Sequence, residues 1–205
     1  QLTITLPDGK TLAAEAGSTL YDIIGLIGKG LQKAAVAAEL DGVMADLSQR
    51  VTADASLKVY TFKDAEGKKV LWHSASHILA QAVKRLYPSA KLAIGPAVDD
   101  GFYYDFDEEQ GFTREDLDSI EAEMAKIIKE NIPVERIGMS RSDAEAVFRQ
   151  NGDTYKMELL ETVEGDASFY RQGEFTDMCR GPHVTHTGKV GAVKLLRNAG
   201  AYWRG

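Results

Sequence analysis

Two glycine-bearing turns, Pro7-Asp8-Gly9-Lys10 and Asp41-Gly42, interrupt short alternating segments within residues 1–62 and commit that stretch to hairpins. Leu2, Ile4 and Leu6 alternate with polar residues before the first turn, and Leu12 and Ala14 continue the pattern on the return strand. Between the turns lies one short helix. Ser18 or Thr19 can cap it, Tyr21, Ile23, Ile24 and Ile27 give it an apolar face, and Gly28 and Gly30 end it. A strand over Ala35 to Leu40, the second turn, Val43 and a last strand over Leu57 to Phe62 complete the order ββαβ(β)β. That order predicts a small ubiquitin-like β-grasp domain over residues 1–62. No His, Cys or paired acids cluster in it, so its expected role is binding or packing.

Residues 63–69, Lys-Asp-Ala-Glu-Gly-Lys-Lys, read as a polar linker. Residues 70–205 read as a larger α+β domain with a long leading helix packed on an antiparallel sheet. That helix runs from about Val70 to Tyr87 and stops at Pro88. A second starts at Thr113, where Thr113-Arg114-Glu115-Asp116 resembles a capping box and Leu117, Ile120, Met124, Ile127 and Ile128 form one stripe. A third is expected from Ser142 to Gln150. Apolar segments at Lys91–Ile94, Gly101–Phe106, Val134–Ile137, Tyr155–Leu160, Phe169–Arg171 and Val193–Arg197 read as strands.

Hydrophobic residues at 44% and charged residues at 27% fit a globular chain and exclude a disordered one. No apolar run approaches the roughly 18 to 20 residues of a membrane span. Cys179 is the only cysteine, so no intrachain disulfide is possible, which favours a reducing compartment; the expected address is the cytoplasm. A net charge of −7 argues against a protein that coats nucleic acid, DNA included. The charge is uneven, however. Acidic residues crowd Asp99–Glu123, on what is expected to be a solvated helix face, whereas Met178–Gly205 carries Arg180, Lys189, Lys194, Arg197 and Arg204 with no acid. A local basic surface on an acidic protein can still meet a phosphate backbone.

All four histidines and the cysteine fall in two short segments. In His73-Ser74-Ala75-Ser76-His77, helical spacing stacks two imidazoles on one face. In Cys179-Arg180-Gly181-Pro182-His183, followed by His186, glycine and proline shape a loop. His73, His77, Cys179 and His183 offer the four nitrogen and sulfur ligands of a tetrahedral zinc site. They can equally line a pocket where imidazoles handle protons near neutral pH. Asp177 could hold a substrate ammonium or orient a histidine.

These segments resemble bacterial-type threonyl-tRNA synthetase. The resemblance is carried by His73-Ser74-x-x-His77, Ile94-Gly95-Pro96, Gly101-Phe102-Tyr103-Tyr104-Asp105, Tyr155-Lys156, Asp177-Met178-Cys179-Arg180-Gly181-Pro182-His183 and Gly200-Ala201-Tyr202-Trp203-Arg204-Gly205. It is strong from about residue 70, and residues 1–62 resemble the TGS module by pattern. It implies an editing hydrolase that cleaves serine wrongly esterified to tRNA(Thr) and spares the threonine ester. Rejecting serine through one missing methyl gains only about 1–3 kcal/mol, so a second site must exclude the larger group instead.

By the same resemblance, His73 would position or deprotonate the attacking water or hold the terminal ribose, with His77 beside it. Lys156 would place positive charge near the oxyanion or a second water. Asp177 would bind the serine ammonium; Cys179, His183, His77 and Tyr104 would shape the pocket; Arg180 and the basic C-terminal stretch would contact the acceptor end. The arrangement implies zinc in alanyl-tRNA synthetase relatives, whereas the bacterial threonyl proteins use the same residues without metal. No cofactor is therefore expected here. The chain lacks G-x-x-x-x-G-K-[ST] and the arginine-bearing motifs of a class II core. ATP use, the catalytic zinc and homodimer contacts are expected in a core beyond this chain, which by itself would be a monomer. The rival readings are a free-standing zinc-dependent aminoacyl-tRNA hydrolase and a non-catalytic tRNA-binding appendage.

Overall fold

Gly9 adopts a left-handed conformation (φ 82°) that only glycine takes without strain, and its N–H donates to the Leu6 carbonyl at 2.9 Å. The chain therefore reverses between β1 (Leu2–Thr5) and β2 (Thr11–Ala14), which pair antiparallel with Ile4 opposite Leu12. This computed structural model describes residues 1–200; the expected motif at 201–205, with Arg204, lies outside the described residues. The described residues form two units, Gln1–Leu71 with Gly181–Thr185, and Trp72–Arg180 with the residues from His186 on.

In the first unit, Thr19 caps α1 (Leu20–Ile27) by accepting the Asp22 N–H. The extended Gly28 ends α1, but the chain starts a further helix, α2 (Lys29–Ala34), with Gly30 inside it. The expected stop at Gly30 is thus corrected: the Gln32 amide donates to the Tyr21 carbonyl at 3.0 Å and ties the extra turn to α1. β3 (Ala35–Leu40), β4 (Val43–Ala45) and β5 (Ala55–Thr61) complete a sheet of order β2-β1-β5-β3-β4, with β1 and β5 parallel. Ile4, Leu20, Ile23, Ile24, Leu47 and Leu57 are buried together beneath α1, each stabilising the fold by about 1.5–3 kcal/mol on burial. Segment 181–185 belongs to this unit, and the His183 N–H donates to Asp46 Oδ1 at 2.8 Å.

The stretch read as a linker is helical from Ala65, because α3 runs Ala65–Leu86 and not from Val70. Asp64 accepts the Thr61 N–H at 2.7 Å and its carbonyl receives the Lys68 N–H. Gly67 is the position where a Cβ would strike the Thr61 carbonyl, so its glycine marks a close approach and not a flexible joint.

The second unit continues with β6 (Lys91–Leu92), β7 (Ala97–Val98), β8 (Gly101–Phe102) and β9 (Phe106–Asp107), which pair as two short ribbons, β6 with β9 and β7 with β8. These replace the longer strands expected at Lys91–Ile94 and Gly101–Phe106. α4 (Arg114–Glu130) carries the Thr113–Asp116 capping box and buries Leu117, Ile120, Met124 and Ile127. β10 (Val134–Met139) precedes α5 (Arg141–Asn151), which Ser140 caps.

The expected strand at Tyr155–Leu160 is a helix, α6 (Thr154–Leu160). Met157 and Leu160, one turn apart, pack with Phe148 and Phe169, a helical spacing that the short apolar run did not reveal. β11 (Ala167–Gln172) and β12 (Phe175–Met178) extend β10 into an antiparallel sheet of order β10-β11-β12. α3 packs on this unit's core through Ile78, Leu79, Ala82 and Val83 beside Phe175, Ile120 and Ile127. The strand expected at Val193–Arg197 does not form. That segment is held along α4, where the Leu195 N–H donates to Glu121 Oε1 at 2.8 Å and the Asn198 amide to the Phe112 carbonyl at 2.8 Å.

Candidate active site

His73 and His77 project from one face of α3 as their spacing requires, their rings edge-to-face with centroids 5.2 Å apart. His77 is buried beside Phe175 at 6.0 Å, and His73 is partly exposed. Burial holds both imidazoles below the ordinary histidine range, His77 well below it, with Lys156 adding to both shifts. Asp177 opposes the shift at His73. Both rings are therefore neutral near pH 7. His77 Nε2 lies 3.5 Å from Asp177 Oδ2, a long contact of a neutral imidazole and not an ion pair.

Asp177 reaches the site from β12, whose alternation turns Phe175 and Asp177 to the same buried face. Lys156 comes from α6. Its Nζ sits 2.8 Å from Asp177 Oδ1 and donates to Tyr104 Oη at 3.1 Å. The Tyr104 hydroxyl donates to Asp177 Oδ2 at 2.7 Å, and the Met178 N–H to Asp177 Oδ1 at 2.9 Å. Lys156, Asp177 and Tyr104 are all more than nine-tenths buried. Burial first, and the Asp177 charge second, push the Tyr104 phenol well above its ordinary range, so it stays a neutral donor. Lys156, expected on a strand, is a buried cation on a helix. Asp177, expected to hold a substrate ammonium or orient a histidine, already holds the protein's own ammonium.

Cys179 is fixed by backbone bonds: its N–H donates to the Ser168 carbonyl at 3.1 Å, and the Ser168 hydroxyl donates to the Cys179 carbonyl at 2.6 Å. Ser168 carries no sequence signal that would have marked it. The ligand atoms of His73, His77 and Cys179 lie within 4.8 Å of one another. Two neutral imidazoles and a thiol suit a borderline-soft cation such as zinc. Tetrahedral ligands about zinc would stand about 3.3–3.6 Å apart, tighter than that bound requires. His183, the fourth expected member, is buried on the segment that belongs to the first unit. His186 is exposed and bridges Pro133 across a short β-contact.

A groove of about 570 Å³ opens at Cys179 and the exposed Arg180, lined also by Leu159, Val163, Asp166 and Met178. The basic stretch beyond it is not a continuous cationic strip. Lys194 pairs with Glu121 of α4 at 3.0 Å, so the acidic helix neutralises it.

Residues 2–61 match the TGS domain, and residues 167–202 match the threonyl and alanyl tRNA synthetase second additional domain. Over 206 aligned positions covering 100% of this chain, it is 52% identical to a threonine–tRNA ligase of Clostridium tetani (strain Massachusetts / E88). Identity is 50% to that of Caldanaerobacter subterraneus subsp. tengcongensis and 48% to that of Carboxydothermus hydrogenoformans, again over 100% of this chain. The chain spans about a third (32%) of the length of these curated relatives.

Proposed function

We propose that this chain, homologous along its whole length to threonine–tRNA ligases, carries a proofreading site that hydrolyses Ser-tRNA(Thr) and spares Thr-tRNA(Thr). The observation that supports the reading best is the buried Lys156–Asp177–Tyr104 network beside two neutral imidazoles. Water attacks the seryl carbonyl carbon, its proton passing to His73, and the tetrahedral oxyanion develops within the field of the Lys156 ammonium. Collapse breaks the bond to the ribose oxygen, which leaves with a proton returned from His73. His77 keeps the adjacent space neutral and dry. Because Asp177 already holds Lys156, its part is to fix that cation and to offer its remaining acceptor capacity to the serine ammonium. Cys179 and Tyr104 bound the pocket and exclude the extra methyl of threonine by contact. The groove at Arg180 receives the acceptor end.

A second reading has one observation in its favour, the convergence of His73, His77 and Cys179. Zinc held there would act as a Lewis acid on a water or carbonyl oxygen. We favour the metal-free route because Lys156 already supplies fixed positive charge at the site. We assign threonine activation with ATP, its zinc and the dimer contacts to the remainder of such a ligase, and the setting to the cytoplasm. Among the described residues no helix is long and apolar enough to cross a membrane.

The deciding experiment is deacylation of Ser-tRNA(Thr) beside Thr-tRNA(Thr) by the purified chain. Loss of serine alone is expected. Equal stability of both esters would leave a tRNA-binding appendage.

A further inference from the structure

We propose that Ser76 and Gly95 are positioning residues of this site, joining the helical turn that carries His73 to the segment on which Tyr104 rests. This rests on the hydrolytic reading above and adds two residues to it. Ser76 is fully buried between the two histidines. Its hydroxyl lies 2.6 Å from the His73 carbonyl oxygen and 2.8 Å from that of Gly95, so one proton is shared between α3 and the segment after β6.

Gly95 has a second role, set by its missing side chain. A Cβ there would overlap Cδ2, Cε2 and Cγ of the Tyr104 ring. The ring therefore lies directly on the glycine backbone, an aromatic covering a bare residue across a ribbon. Neighbouring backbone bonds hold that register, with the Asp105 N–H on the Ile94 carbonyl at 2.7 Å and the Ala93 N–H on the Asp105 carbonyl at 3.0 Å. Phe106 also stacks on the Tyr104 ring, with centroids 4.9 Å apart. Held by both contacts, the Tyr104 hydroxyl donates to Asp177 and accepts from Lys156. A continuous path thus runs from the His73 carbonyl through Ser76, Gly95 and the Tyr104 ring to the Lys156–Asp177 pair. The base and the cation of the proposed reaction keep their spacing because this path has no slack.

The test combines hydrolysis of Ser-tRNA(Thr) with NMR of the Tyr104 ring, whose resonances report its packing on Gly95, on chains whose folding is checked by circular dichroism. Gly95→Ala should lower kcat roughly 100-fold with KM little changed, the scale of a 1 Å misplacement. Adding it to Tyr104→Ala should cost nothing further, since the ring it displaces is gone. Ser76→Ala should lower kcat roughly tenfold, and Ser76→Thr, which keeps the hydroxyl, should restore it within about threefold. In Gly95→Ala the Tyr104 ring resonances should shift as the added methyl displaces the ring. Additive losses in the double variant, or equal activity of Ser76→Ala and Ser76→Thr, would overturn the proposal. If the native chain hydrolyses neither ester, the reading of function fails, and the Tyr104 ring still decides this one: unmoved ring resonances in folded Gly95→Ala rule it out.

Discussion

Lys156 Nζ and Asp177 Oδ1 stand 2.8 Å apart with both side chains almost wholly shielded from water. An ion pair so placed contributes little net stability, since desolvation offsets attraction, but losing one partner strands a buried charge. Lys156→Ala should therefore destabilise the second unit by about 3–5 kcal/mol and abolish deacylation. Lys156→Met combined with Asp177→Leu should cost less than the sum of the single variants. Denaturant unfolding with a double-variant cycle measures both effects.

The neutral state of His73 sets a pH dependence. The folded value lies below 6.5, so the base is available at neutral pH, and deacylation should fall as pH drops through a midpoint below 6.5. Stability should move in the same direction. The unfolded chain takes up protons at His73 and His77 before the folded one does, so stability is full above 6.5 and declines as pH falls below it. A rate profile rising toward acid would contradict the assignment of His73.

Gly67 inverts the usual helix rule. Alanine in a helix interior ordinarily gains about 1 kcal/mol over glycine. Here the added methyl would meet the Thr61 carbonyl. Gly67→Ala should lower the unfolding midpoint, whereas a rise would mean that the close approach is not kept.

Arg180 and Lys194 should differ although both lie in the basic stretch. Arg180 is exposed at the groove, while Lys194 is paired with Glu121. Arg180→Ala should weaken tRNA binding and reduce the slope of log affinity against log salt by about 1. Lys194→Ala should leave binding near native and change stability by less than about 1 kcal/mol. Filter binding across a salt series separates the two.

Metal removal gives a further outcome. A chelator should leave serine release unchanged and extract no stoichiometric zinc. Loss of activity restored by zinc would select the metal reading of His73, His77 and Cys179.

Features whose physics is local were legible in the amino-acid chain alone. The Pro7–Lys10 reversal, the Thr19 cap, the Thr113–Asp116 capping box and the His73–His77 face each depend on residues within one turn of each other. Spacing or side-chain chemistry fixed them before any packing. The clustering of His, Cys and Asp types likewise marked the site.

The rest depended on packing, because short apolar runs do not choose between strand and helix until a partner surface exists. Tyr155–Leu160 is helical since Met157 and Leu160 meet Phe148 and Phe169. The polar stretch turns helical from Ala65, with Gly67 close against Thr61. Lys156 meets Asp177 across 21 residues of chain, and Ser76 meets Gly95 across 19, pairings that no local pattern encodes. Burial then converted an ordinary lysine, aspartate and tyrosine into a network, for a charge acquires its chemistry from the water that the fold removes.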